Sequence, residues 1–166
     1  TFQERLRAAG VRDYDWYPMI RGRLVAINGS AVVPDDLADD RARLLELVAT
    51  SHILVENMRP GKLEALGLGP DVLLARNPRL VIVRVTAFGQ TGPYSDRPGF
   101  ATLAEAMSGF AALNGSADGP PTLPPVALTD EVAALAAAFA AMVAVHSGVG
   151  QVVDVNLLES LMQLMG

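Results

Sequence analysis

The chemistry open to this chain is that of carboxylates, amides and a few basic side chains. It has no cysteine, which excludes thiol nucleophiles, disulfides and thiolate metal sites. His52 and His146 are its two histidines, too few for a His-rich metal site, so no metal is expected. Asp130 stands at the mouth of the apolar run Val132 to Val145, where it or Thr129 is placed to cap a long helix. Capping alone, at about 1 kcal/mol, accounts for an Asp there. Asn57 and Met58 follow a strand end, where ligands bind in open α/β sheets, although Asn57 also suits a plain turn. Arg59 and Lys62 are basic groups beside that strand end, and as solvated surface charge they need no ligand. Gly89, Gly92 and Gly99 fit tight turns.

The elements that hold these residues follow from patterning. At 166 residues, 51% hydrophobic and 19% charged, the chain has the size of one domain and the composition of a globular core. Residues 1–22 resist assignment: Phe2, Leu6 and Ala9 fit one face of a short helix ending at Gly10, followed by the aromatic cluster Tyr14, Trp16, Tyr17. Arg23–Ile27 reads as a strand closed by Asn28-Gly29, with Ala31–Val33 as a candidate return strand. A helix is predicted near Asp40–Thr50, from the apolar face Leu44, Leu45, Leu47, Val48. A βα rhythm then sets in. His52–Val55 and Leu80–Val85 read as buried strands, with short helices at Lys62–Leu66 and Asp71–Arg76 between them. Thr102–Leu113 reads as one helix, Asn114–Pro125 as a loop, and the long helix runs to His146, stopped by Gly148 and Gly150. Gln151–Val155 is a strand and Leu157–Leu164 a last helix. Strands alternating with helices imply an α/β layer fold with a mainly parallel sheet.

Net charge excludes some functions. At −5, a broad nucleic-acid face is not expected, while an anionic ligand can still meet local basic groups and amides. The run Val132–Val145 is too short for a bilayer span, so no membrane partner is expected. The opening TFQERLRAAG has no signal-peptide pattern, and a cytoplasmic location is the expectation. The start at Thr rather than Met suggests an excised piece.

Val55-Glu-Asn-Met-Arg-Pro-Gly61 resembles the V-E-N-F-R-P-G signature of family III CoA-transferases, the family of formyl-CoA transferases, carnitine CoA-transferases and α-methylacyl-CoA racemases. Further motifs follow in that family's order: Leu66-Gly-Leu-Gly69, Asn77-Pro-Arg-Leu80, Phe88-Gly-Gln-Thr-Gly-Pro-Tyr94, Asp96-Arg-Pro-Gly99, Ala106-Met-Ser-Gly109, Asp118-Gly-Pro-Pro121, Ala127-Leu-Thr-Asp130 and Gly150-Gln-Val-Val-Asp-Val155. The resemblance covers residues 40–166, with residues 1–39 a divergent N-terminal segment.

The resemblance implies a Rossmann-like large domain, incomplete here, from an interlocked homodimer or one needing a complementing chain. It implies coenzyme A and acyl-CoA as substrates with a carboxylic acid acceptor. Asp130 would be the nucleophile, forming first an aspartyl anhydride and then an aspartyl-CoA thioester. A carboxylate suits this role because it is ionised at neutral pH without a helper base. Asn57, Met58, Arg59, Lys62 and Leu66 would bind CoA, with Arg59 and Lys62 meeting its phosphates. Some positions depart from the pattern. Glu131 and Val132 follow Asp130 where small residues are common, and Ala65 stands where many members carry Arg. Phe100 stands near where the racemases place a proton-transferring His, which disfavours racemisation because a phenyl ring carries no proton. The alternatives are an acyl-CoA racemase or isomerase, and a partial non-catalytic copy acting through assembly with a partner chain.

Overall fold

The computed structural model describes the backbone of residues 24–27 and 37–166, with side chains from residue 41 onward. The helix ending at Gly10, the aromatic cluster and the return strand at Ala31–Val33 lie outside the described residues. Four strands, β1 (Leu24–Ile27), β2 (Ile53–Glu56), β3 (Val81–Thr86) and β4 (Gln151–Asn156), form a parallel sheet in the order β1-β2-β3-β4. Helix α1 (Leu37–Val48) joins β1 to β2, and α2 (Lys62–Ala65) and α3 (Pro70–Arg76) join β2 to β3. Between β3 and β4 come α4 (Ala101–Met107), α5 (Phe110–Leu113) and α6 (Leu128–Ser147), and α7 (Leu157–Met162) follows β4.

Side chains alternate across a pleated strand, so a sheet covered on both faces builds two cores. Leu54 and Ile82 point to one face and pack with Val48, Leu63, Leu68 and Leu73 from the α1–α3 side. Val81, Val83 and Val155 point to the other and meet Ala104, Leu157 and the alanines of α6. Each large aliphatic side chain buried this way contributes about 1.5–3 kcal/mol.

Helix α6 turns Ala133, Ala137, Ala141 and Ala144 to the sheet, and these small side chains let it lie close. Its other side carries Leu135, Phe139, Met142 and Val143, all exposed. At 20 residues α6 is long and apolar enough to cross a membrane, a property that core helices share, and here its alanine face packs on the strands. It ends at Gly148, whose φ of 74° is the left-handed conformation that favours glycine.

Two expectations are corrected. The single helix over Thr102–Leu113 is two helices, α4 and α5, because Gly109 adopts φ 88° and breaks the helical hydrogen-bond ladder. Neither Thr129 nor Asp130 caps α6. The N-cap is Ala127, which makes no side-chain cap, and the Thr129 hydroxyl is taken by a residue of α4.

Candidate active site

Two cavities open side by side at the C-terminal ends of the strands, where open α/β sheets bind ligands. The larger, about 520 Å³, is bounded by Asn57 after β2, Thr86 at the end of β3, Phe100 and Glu105 of the α4 region, Asp130 of α6 and Leu157 after β4. The smaller, about 240 Å³, is lined by Met58, Arg59, Phe88 and Arg97, and shares Asn57, Thr86, Ala87, Gly99 and Phe100 with the first.

The turn after β2 is pinned by buried charge. Glu56 and Arg84 are cross-strand partners in register on β2 and β3. Arg84 Nε donates to Glu56 Oε1 at 2.5 Å, and Glu56 Oε2 accepts the Met58 amide at 2.7 Å. The far side of the guanidinium donates to both carboxylate oxygens of Glu64 on α2, at 2.6 and 3.2 Å. Burial works against the charge on Arg84, but its hydrogen bonds to Glu64 and Glu56 outweigh this and raise its pKa above the usual arginine value. The same guanidinium holds the Glu64 carboxyl below the usual carboxylate value. One ion cluster thereby ties the Asn57–Met58 turn to β3 and α2.

The loop after β3 forms the opposite wall. Thr86 Oγ1 accepts the Gly89 amide at 2.9 Å and Asp154 Oδ2 accepts the Gln90 amide at 2.8 Å. The Phe88 and Tyr94 rings lie 5.6 Å apart, and the Arg97 guanidinium sits 4.2 Å from the Tyr94 ring centre. Gly99 is required by close approach, because a Cβ there would lie 2.5 Å from Ala87 Cβ and 2.7 Å from the Phe88 ring.

Asp130 occupies the third position of α6 and is exposed on the wall of the larger cavity. Among the described residues its carboxylate has no hydrogen-bond or ion-pair partner. An unengaged carboxylate, a helix N-terminus with amides lacking intrahelical acceptors, and a cavity wide enough for an acyl group are the parts that nucleophilic acyl chemistry needs.

The sequence profile of CoA-transferase family III matches residues 32–166. The chain belongs to CoA-transferase family III. It is 41% identical over 154 residues to the succinyl-CoA–D-citramalate CoA-transferase of Chloroflexus aurantiacus, covering 90% of this chain and 37% of that one. It is 48% identical over 120 residues to the succinyl-CoA–L-malate CoA-transferase beta subunit of the same organism, covering 69% of this chain and 30% of that one. The crystal structure of a CaiB/BaiF family protein from Brucella suis aligns with a TM-score of 0.75 at 31% identity, covering 79% of this chain and 36% of that one. This family III chain thus spans about a third of the length of the curated relatives it matches.

Of the CoA-transferase residues expected from sequence, the structure brings Asp130 and Asn57 to one cavity and Met58 and Arg59 to its neighbour. Lys62 and Leu66 line neither. Lys62 opens α2 in solvent, and Leu66 packs against the core cluster of Leu54, Leu63 and Ile82. Phe100, 62% exposed, lines both cavities, whereas His52 and His146 line neither. Sequence reading missed Glu56, Arg84 and Glu105. The available signal was opposite charges inside two apolar strand runs.

Proposed function

We propose that this chain carries the nucleophile half of an enzyme that moves coenzyme A between carboxylic acids. The observation that carries this reading is the unpaired Asp130 carboxylate on the wall of the cavity that Asn57 also lines. Asp130 attacks the thioester carbonyl of the donor. The carbon–sulfur bond breaks, CoA leaves as thiolate, and an aspartyl–acyl anhydride forms. The thiolate then attacks the aspartyl carbonyl, releasing the donor acid and leaving an aspartyl-CoA thioester. The acceptor carboxylate repeats these steps in reverse and departs as its CoA ester. Amides at the start of α6 face the oxyanion of each tetrahedral intermediate. Asn57, Met58 and Arg59 hold the CoA arm in the smaller cavity.

Relatives are named for succinyl-CoA with citramalate or malate, which supports a succinyl donor and a dicarboxylic acid acceptor. Because the chain spans a third of those relatives, the rest of the CoA site comes from further sequence, a second copy or a complementing chain. At Phe100, near where the racemases place a histidine, the cavity offers no base.

The test is incubation with succinyl-CoA and hydroxylamine, followed by mass spectrometry of the Asp130 peptide. A hydroxamate at Asp130, absent in Asp130→Asn, is the expected result. Solvent deuterium entering the acyl α-carbon without any mark at Asp130 would overturn it.

A further inference from the structure

Glu105 is a buried carboxyl group that the transfer steps do not use. It lies on α4, is 4% exposed, and lines the same cavity as Asp130. Among the described residues, its side chain has one partner, the Thr129 hydroxyl, which donates to Oε1 at 3.0 Å. Thr129 is itself fully buried at 0%. Burying a carboxyl against a single hydroxyl is unfavourable, and apolar residues of the same shape would serve stability as well or better. Stability therefore does not account for the pair, and its location does. Thr129 immediately precedes Asp130, and among the described residues its hydroxyl makes the side-chain hydrogen bond at the start of α6, where Ala127 offers no side-chain cap. An acidic residue at the third helical position is drawn back toward its own N-cap amide, and Asp130 makes no such bond.

We propose that Glu105 is a positioning residue for Asp130. By accepting the Thr129 hydroxyl it locks the rotation of the first turn of α6 and keeps the Asp130 carboxylate facing the cavity. The proposal rests on Asp130 as the attacking group. Glu105 itself makes and breaks no bond.

Four variants of the chain test it, each checked for native circular dichroism. Thr129→Val removes the donor at nearly equal volume, and Glu105→Leu removes the acceptor. Glu105→Gln keeps an acceptor, and Thr129→Ser keeps a donor. The first readout is the Asp130 χ1 population from Hα–Hβ scalar couplings. The second is the rate of succinyl-CoA-dependent hydroxylamine capture at Asp130, with succinyl-CoA affinity measured alongside. In Thr129→Val and Glu105→Leu the rotamer is expected to average. Capture should slow about 100-fold at unchanged affinity, the loss associated with a displacement of about 1 Å. Glu105→Gln and Thr129→Ser should keep one rotamer and most of the rate, and they carry the test alone if the other two do not fold. An unchanged rotamer and rate in Thr129→Val overturns the proposal, as does averaging in both conservative variants. If no capture occurs at Asp130 even with the remaining CoA-site sequence or complementing chain supplied, the transferase reading fails instead, and the couplings still decide on positioning.

Discussion

Replacing Glu56 and Glu64 in turn by alanine separates two carboxylates that share one guanidinium but differ in burial. The Glu56 side chain is 0% exposed and that of Arg84 is 5%, against 41% for Glu64. Removing Glu56 leaves a buried cation with one half-exposed partner and takes the acceptor from the Met58 amide. Breaking a buried pair from one side costs about 3–5 kcal/mol. The orphaned amide adds about 1–3 kcal/mol, reduced where water enters the space left behind, so about 4 kcal/mol is a fair total. Removing Glu64 breaks a solvent-screened pair worth about 0–1 kcal/mol. The expected gap between the two variants is therefore about 3 kcal/mol, a large share of the roughly 5–15 kcal/mol that holds a domain together. Urea unfolding followed by circular dichroism at pH 7 measures both. The double variant Glu56→Ala/Arg84→Met should recover much of the loss, because it removes the stranded charge along with its partner. Equal midpoint shifts for the two single variants, or no recovery in the double, would refute the claim that burial sets the balance here. On the proposed function, Glu56→Ala should also weaken CoA binding, since the same carboxylate fixes the turn that carries Asn57 and Met58.

Acid should act through Glu64, whose pKa lies below 4.5 in the fold, chiefly because of its hydrogen bond to Arg84. A depressed carboxylate contributes stability above its unfolded value that is lost as pH falls through the folded one. The urea midpoint should accordingly stay level at pH values above the ordinary carboxylate range and drop as pH falls below it, more shallowly in Glu64→Gln. Gly99→Ala should cost about 1–3 kcal/mol by overpacking against Ala87 and Phe88. It should also lower CoA affinity, read by calorimetry, because Gly99 lines both cavities.

Strand β3 was legible because Val81–Val85 is apolar apart from Arg84 and bounded by turn residues, and the long helix because Val132–Val145 is an unbroken apolar run rich in alanine. Asp130 and Asn57 could be named from motif order, but their meeting in one cavity depends on the crossover from β2 to β3 and on how α6 packs on the sheet, which no local pattern encodes. The break at Gly109 was missed because the residues around it continue a helical pattern, and only the positive φ reveals the stop. The capping expectation failed for a tertiary reason: the Thr129 hydroxyl is used by Glu105, which lies 24 residues earlier in the chain. Glu56 and Arg84, 28 residues apart, are a cross-strand pair whose register can be read only once the sheet is assembled.

Helix α6 keeps small side chains for the sheet and sends Leu135, Phe139, Met142 and Val143 into water. A helix with large apolar side chains on its solvent side as well as small ones on its sheet side fits a body with a further layer outside it. Because the drive to hide such surface strengthens on warming, the isolated chain should be most dispersed in the cold and gather into larger species near body temperature. Chilled buffers are then the natural setting in which to handle it.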